Sequence, residues 1–201
     1  MYVIIPVKPP VQSKTRLSPV LSEEERINLS WGLLQRTIGL ARQVGEVVII
    51  SRDAAVRRLA KRAGGWALVE SGHNLNQAMH QAATWVMMHG GRSILILPAD
   101  LPLLTLPDLT GLVLAGQQTP VAVIAPCQRQ DGTNALLIRP PNLIKFTFGP
   151  GSFASHQRAV RALGLEPVIY HSPTLAFDID LPEDLQRLNK DWPLLQETSH
   201  R

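Results

Sequence analysis

Short apolar runs alternate along most of the chain with longer segments of mixed polarity. An unbroken apolar run bounded by Gly, Pro or charged residues is typical of a strand covered on both faces. The order of the two kinds of segment predicts an α/β fold, with a mostly parallel sheet flanked by helices on both faces. The predicted strands cover residues 2–7, 46–51, 66–69, 93–97, 120–125, 135–138 and 166–170.

Several predicted helices begin at residues that cap helices well. Ser22 stands three residues before Glu25, the spacing of a capping box, and Asp53 and Thr105 precede two further helices. Pro182 fits the first turn of the last helix. The predicted helices cover residues 22–43, 53–64, 74–89, 105–114 and 152–163, and a last one starts near residue 182.

One stretch, residues 127–148, interrupts the alternation. It contains two consecutive prolines at 140 and 141, and a Gly-Pro-Gly segment follows it at 149–151. This pattern predicts a hairpin or lid inserted beside the site. No repeat or linker divides the chain, so we expect one domain over residues 1–190 and a polar tail over residues 191–201.

The charge of the chain narrows the classes of partner. The 201 residues carry a net charge of +4 and a pI near 9.6, which is compatible with nucleic acid, a membrane surface or an anionic small molecule. The basic residues are scattered, so we expect a polyanionic small ligand rather than nucleic acid or a membrane. The single Cys127 cannot form an intramolecular disulfide, and since no secretory leader stands out, we expect a cytoplasmic protein.

Three aspartates are candidates for cation binding. Asp100 follows a buried strand, where chemistry collects in open α/β sheets. Asp178 and Asp180 are two residues apart in an extended segment, so both carboxylates face one side, while Phe177 and Ile179 face the core. Such carboxylates are typical ligands of a divalent cation that accompanies a phosphate-bearing ligand. The alternatives are a turn or N-cap aspartate at 100 and solvent-facing acids at 178 and 180.

A basic loop follows the first predicted strand. It carries Lys8, Lys14 and Arg16, which could neutralise the charges of a triphosphate. The loop contains neither a GxxxxGK[ST] P-loop nor a GxGxxG fingerprint. A solvated basic loop is therefore the alternative.

Two Gly-containing turns are candidate anion sites. Residues 148–153 lead into a helix, whose free N–H groups bind anions, and Ser152 adds a hydroxyl there. Residues 131–134 include Thr133. The alternative is an ordinary helix start with Ser152 as N-cap. Asn76, at the start of another helix, could contact a base or ribose, or could simply cap the helix or face solvent.

Taken together, these segments resemble the 2-phospho-L-lactate and phosphoenolpyruvate guanylyltransferases of coenzyme F-420 biosynthesis. The resemblance extends to about residue 188, and its FGPGSF and GTNALL segments are the most specific. Two features depart from the family: His73-Asn74 stand where glycines are common, and the basic loop contains Pro9-Pro10. The segments that carry it are 5–8, 14–17, 75–78, 97–102, 132–135, 148–153 and 178–185.

The resemblance implies a single-domain, Rossmann-like nucleotidyltransferase fold of the glycosyltransferase-A type. It implies that a phosphate oxygen of a three-carbon acid attacks the α-phosphorus of GTP and that pyrophosphate leaves. The expected acid is phosphoenolpyruvate, with 2-phospho-L-lactate as the alternative; the sequence does not separate either from 3-phosphoglycerate. It also implies Mg²⁺, in two copies.

The same resemblance assigns roles to the candidate residues. The expected magnesium ligands are Asp100, Asp178 and Asp180. The expected acid-binding residues are Thr133, Gly149 and Ser152. The residues expected on the GTP side are Lys8, Lys14, Arg16 and Asn76, and catalytic roles are implied for Lys14, Arg16 and Asp100.

Other functions stay open at the level of sequence. One is another cofactor or sugar nucleotidyltransferase of the same fold, and another is a non-catalytic module that binds nucleotides or nucleic acid. The pattern also leaves open whether the chain forms a homodimer.

Overall fold

The structure, a computed structural model, describes residues 1–188, and seven strands in that part of the chain form one sheet. The order of the strands across the sheet is β3-β2-β1-β4-β6-β5-β7. The predicted tail, residues 191–201, lies outside the described residues. The strands are β1 (Tyr2–Pro6), β2 (Glu46–Ser51), β3 (Trp66–Val69), β4 (Ile94–Ile96), β5 (Val121–Pro126), β6 (Thr133–Arg139) and β7 (Val168–Ile169).

Most neighbouring strands run parallel, which confirms the predicted α/β sheet. Strand β1 pairs in parallel with β2 and β4, as do β2 with β3 and β5 with β7. The exception is β6, which is antiparallel to both of its neighbours, β4 and β5. The stretch 127–148, expected to form an inserted hairpin or lid beside the site, instead contributes β6, which pairs with the preceding strand β5 and lies inside the sheet. The reason is burial: residues 133–138 are all buried, which an interior strand requires.

The helices confirm most of the predicted caps. Ser22 Oγ accepts from Glu25 N–H at 3.2 Å, and the Glu25 carboxylate accepts from Ser22 N–H at 2.7 Å. Asp53 and Thr105 cap their helices as predicted. None of the helices within residues 1–188 is long and apolar enough to span a membrane. The helices are α1 (Glu23–Ala41), α2 (Ala54–Arg62), α3 (Leu75–Met88), α4 (Leu106–Ala115), α5 (Ser152–Arg161), α6 (Pro173–Ala176) and α7 (Pro182–Arg187).

Two details of the helices differ from the sequence-based expectation. Helix α5 has Gly151, not Ser152, as its N-cap, and Gly151 adopts the left-handed backbone conformation at φ 68°. Ser152 is therefore the first helical residue and not the N-cap. The single turn α6 was not predicted, because four residues are too few to show a helical period.

The hydrophobic core lies on both faces of the sheet. Along β1, Val3 and Ile5 belong to one cluster and Ile4 belongs to the other. The first cluster includes apolar residues of α1, α2 and α4, and the second includes residues of α3 and α5. Each fully buried Leu or Ile contributes about 1.5–3 kcal/mol. This burial holds the strands in one register and so brings the loops at their carboxyl ends together.

A buried carboxylate, that of Asp108, ties α6 to α4. It accepts hydrogen bonds from Thr105 Oγ1 at 2.6 Å, from Ser172 Oγ at 2.5 Å and from Thr174 Oγ1 at 2.8 Å. Burial alone would raise the pKa of Asp108, but the hydrogen bonds outweigh burial and hold this pKa below its usual value. The cluster thereby anchors the segment that continues from α6 into Asp178.

Replacing Asp108 tests this anchor. Asp108→Ala removes a buried acceptor and leaves three hydroxyl groups with fewer partners, so we expect the free energy of unfolding to fall by about 2–3 kcal/mol. Glu25→Ala is the matched control, because Glu25 has the same capping-box position in α1 but is exposed. Urea unfolding of both variants measures the difference. Equal losses of unfolding free energy in the two variants would show that the burial of Asp108 and its bonds to Ser172 and Thr174 do not contribute to stability.

Candidate active site

A cavity of about 370 Å³ opens at the edge of the sheet where β1, β4 and β5 end and β6 begins. Parallel strands place their following loops at one edge, so residues that are distant in sequence meet there. Six of the ten predicted site residues line it. They are Arg16, Asp100, Thr133, Gly149, Ser152 and Asp178.

The two acidic segments are joined directly by backbone and by one lysine. The N–H of Ile179 donates to the carbonyl of Asp100 at 3.2 Å. Lys14 Nζ donates to the Ile179 carbonyl at 2.5 Å, and it lies 3.2 Å from Asp100 Oδ2 and 3.3 Å from Asp180 Oδ1. The Lys14 side chain is only 8% exposed. One buried ammonium group therefore holds both carboxylates and the backbone between them.

The charges in this junction are strongly coupled. Burial lowers the pKa of Lys14, but the charges of Asp100 and Asp180 outweigh burial, and the pKa of Lys14 is raised. The pKa of Asp178 is raised first by burial and then by the charges of Asp100 and Asp180, while a hydrogen bond from Asn134 opposes the shift. The junction therefore carries negative charge that a bound cation would stabilise.

The predicted alternation of the late acidic segment is confirmed. Phe177 and Ile179 are buried at 8% and 0% exposure, whereas Asp178 and Asp180 are partly exposed between them. Only Asp178 of the two carboxylates lines the cavity. Asp180 is held at the junction by Lys14 instead.

Residues 1–188 do not contain a complete metal-binding site made of protein side chains. Within residues 1–188, no group of three or more His, Cys, Asp or Glu side chains is arranged to hold a metal ion. The chemistry of Asp100, Asp178 and Asp180 nevertheless suits Mg²⁺, which prefers carboxylate oxygens and usually completes its coordination with water and substrate phosphates. Magnesium binding by these three residues stays a prediction.

The basic residues of the first loop occupy three different environments. Lys14 has a left-handed backbone conformation, at φ 55°, which turns its side chain toward the acidic junction. Arg16 is exposed and lines the cavity. Lys8 is exposed and does not line the cavity. Contacts of these residues with GTP phosphates stay predictions, and Arg16 is the one already placed at the cavity.

Thr133, Gly149 and Ser152 also line the cavity, and we call these three residues the anion wall. Ser152 is 1% exposed and lines the cavity. Its hydroxyl group can donate a hydrogen bond to an anion bound in the cavity. Gly149 has φ 128°, a conformation that favours glycine. The predicted role of these residues in binding the acid fits this placement and stays a prediction.

Asn76 has a hydrogen-bond partner, 72 residues away in the chain, that the sequence did not indicate. Its Oδ1 accepts from the N–H of Phe148 at 2.7 Å, and its Nδ2 donates to the Phe148 carbonyl at 3.1 Å. The cap of α3 is Asn74, not Asn76. Asn76 therefore fixes the loop that carries Gly149, and its predicted contact with the nucleoside is untested.

The sequence analysis did not propose several of the lining residues as site residues, among them two charged ones. Arg129, in the turn between β5 and β6, is exposed and lines the cavity. Asp184 also lines it and accepts from the N–H groups of Asp180 and Leu181 at 2.9 and 2.7 Å. The available signal for Asp184 was an acidic residue in the first turn of α7, directly after Pro182.

Comparisons with known proteins give a family match over most of the chain. The family model described as "Guanylyl transferase CofC like" matches residues 1–189. A phosphoenolpyruvate guanylyltransferase of Rubrobacter xylanophilus is 38% identical over 190 residues, which cover 94% of this chain and 93% of that protein. A 2-phospho-L-lactate guanylyltransferase of Methanothermobacter thermautotrophicus is 38% identical over 184 residues, which cover 90% of this chain and 81% of that protein.

A solved structure shares the fold. It is described as a nucleotide-diphospho-sugar transferase from Desulfovibrio desulfuricans G20 and superposes with a TM-score of 0.77 at 21% sequence identity. The match covers 98% of this chain and 94% of that one. The predicted nucleotidyltransferase fold is thereby confirmed.

The role of Lys14 in the junction can be tested by stability measurements. Lys14→Met leaves the carboxylates of Asp100 and Asp180 without their ammonium partner, so we expect the free energy of unfolding to fall by about 2 kcal/mol, the carboxylates being partly exposed. Lys8→Met, an exposed lysine of the same loop, is the control and should leave stability unchanged. If the two variants unfold at the same denaturant concentration, the junction does not stabilise the fold.

Proposed function

The chain belongs to the CofC-like family of guanylyl transferases, and we propose that it joins GMP from GTP to a phosphorylated three-carbon acid. Phosphoenolpyruvate is the proposed acid and 2-phospho-L-lactate the alternative. Pyrophosphate is the second product, and the product acid carries a guanosine diphosphate group. The family places such a reaction in coenzyme F-420 biosynthesis.

One observation carries the proposal: the anion wall and two carboxylates line a single cavity. The anion wall offers the hydroxyls of Thr133 and Ser152 to a phosphate or carboxylate group. Asp100 and Asp178 face the same cavity. Two anionic substrates can meet in this cavity only if positive charge is supplied, and Arg16 and Arg129, which also line it, supply part of that charge.

The proposed reaction needs no general base from the protein. A phosphate oxygen of the acid is already ionised at neutral pH, so it attacks the α-phosphorus without a general base. A new P–O bond forms there, and the bond from the α-phosphorus to the bridging oxygen breaks, with the electron pair leaving on pyrophosphate. The protein's contribution is to hold the acid on the anion wall in line with GTP and to neutralise charge.

The proposal includes Mg²⁺ held by Asp100, Asp178 and Asp180. Support comes from their oxygen donors and from the excess negative charge at Asp178. When bound, Mg²⁺ supplies positive charge that stabilises the phosphates during transfer. Because Mg²⁺ commonly uses a few carboxylates together with substrate phosphates, the site need not be complete before GTP arrives.

The proposed substrates can be tested in one assay. Purified protein, Mg²⁺ and GTP are combined with phosphoenolpyruvate, 2-phospho-L-lactate or 3-phosphoglycerate, and pyrophosphate release is measured. We expect the highest kcat/KM with phosphoenolpyruvate, and a rate with GTP at least about tenfold above the rates with ATP or CTP, since a base edge is read by hydrogen bonds. Equal rates with all three nucleotides would exclude selection of guanine. Release with none of the acids would contradict the proposed function.

The proposed metal ligands can be tested by a paired substitution. The Asp178→Asn, Asp180→Asn double variant keeps the shapes of the side chains but removes two charges, so we expect kcat to fall at least about 100-fold and the Mg²⁺ concentration for half-maximal rate to rise. Glu183→Gln is the control, because Glu183 is an exposed acid three residues further along the chain. Full turnover in the double variant would remove these aspartates from the metal site.

A further inference from the structure

Helix α5 places a second side chain behind the anion wall. His156 lies four residues after Ser152, so both are on the same face of the helix. Ser152 lines the cavity, whereas His156 is fully buried one turn further along. The ring of Phe148 packs against it at a centroid distance of 4.8 Å. No sequence-based prediction used His156.

Both ring nitrogens of His156 are hydrogen-bonded. The backbone N–H of Thr147 points at Nε2 at 3.2 Å. Nδ1 lies 3.0 Å from the hydroxyl oxygen of Thr133. Thr133 is the residue of the anion wall on β6, so the imidazole connects the loop after β6 to the wall itself.

The Thr147 contact determines where the proton of His156 lies. A backbone N–H can only donate, so Nε2 must present its lone pair. In a neutral imidazole the proton is then on Nδ1, and this N–H donates to Thr133 Oγ1. The ring stays neutral because burial lowers the pKa of His156 to about 4.

The direction of that bond determines what Thr133 can do. A threonine hydroxyl has one hydrogen to donate and two lone pairs to accept with. His156 occupies one lone pair, so the hydroxyl hydrogen remains available. Since Thr133 lines the cavity, that hydrogen can be donated to a ligand there.

We propose that His156 is a positioning residue for the acid substrate, which orients the Thr133 hydroxyl so that it donates to an anionic oxygen in the cavity. This rests on the proposed function for the identity of the acid. The anion wall then presents two hydroxyl donors, from Thr133 and from Ser152. His156 itself does not touch the substrate, and it is not a general base because its only lone pair is occupied by Thr147.

The proton arrangement can be measured without turnover. Nitrogen NMR of protein labelled in its histidines should show His156 at neutral pH with the proton on Nδ1, and His156→Asn should identify the signal by its loss. A proton on Nε2, or a doubly protonated ring, would overturn the proposal.

The effect on substrate is tested by a double-mutant cycle on binding. His156→Phe and Thr133→Val are made singly and together, and phosphoenolpyruvate is titrated calorimetrically in the presence of Mg²⁺ and a non-reactive GTP analogue. We expect each single variant to weaken binding of the acid about tenfold, and the double variant to bind no more weakly than Thr133→Val. The affinity for the GTP analogue should change by less than about twofold.

Controls separate positioning from a general loss of structure. His80→Phe makes the same substitution at an exposed histidine outside this cavity and should not change binding. His156→Asn keeps an amide donor near the Nδ1 position and should recover part of the affinity lost in His156→Phe. Additive losses in the double variant, or equal weakening of the acid and the GTP analogue, would contradict the proposal.

The outcomes also distinguish this inference from the proposed function. If phosphoenolpyruvate binds with the expected pattern but GMP is not transferred, the proposed function is wrong and the positioning role stands. If GMP is transferred while the cycle is additive, the function stands and the positioning role is wrong. If phosphoenolpyruvate does not bind at all, the inference is overturned.

Discussion

One buried ammonium group, that of Lys14, joins three distant segments of the chain. It binds the carboxylates of Asp100 and Asp180 and the carbonyl of Ile179, whose own N–H donates to Asp100. Without that positive charge, the acidic ends of these segments would repel each other at the edge of the sheet. The position of the carboxylates at the cavity, and therefore the space available to a ligand there, depends on this junction.

The order of elements follows from local sequence, because each signal spans only a few residues. Apolar runs identify the strands, and the capping boxes at Ser22 and Thr105 mark two helix starts. The pairing of strands across the sheet does not follow from such local signals. The antiparallel place of β6, and the bonds that Asp108 receives from Ser172 and Thr174, join residues far apart in the chain. No local pattern records such contacts.

The sequence predicted many of the residues of the candidate site but not the orientations of their side chains. Two carboxylates on one side of an extended segment follow from a period of two, so Asp178 and Asp180 were identified from spacing alone. The orientation of a long side chain such as Lys14 depends on one left-handed backbone angle and on the charges that fold around it. The side-chain amide of Asn76 is similarly hydrogen-bonded to the backbone of Phe148. The resemblance to a family implied roles for the site residues, whereas the structure identifies their hydrogen-bond and ion-pair partners.

The interior position of β6 in the sheet has a consequence for the nascent chain. Ile94 on β4 pairs with Ile138 on β6, so β4 lacks its second neighbour until residue 138 has left the ribosome. A chain synthesised only through α4 can assemble β3-β2-β1-β4, but it exposes the apolar strand β4 as an open edge, which is a template for aggregation. The strand that begins at Thr133 therefore closes this edge in the same step that it brings Thr133, one residue of the anion wall, to the cavity.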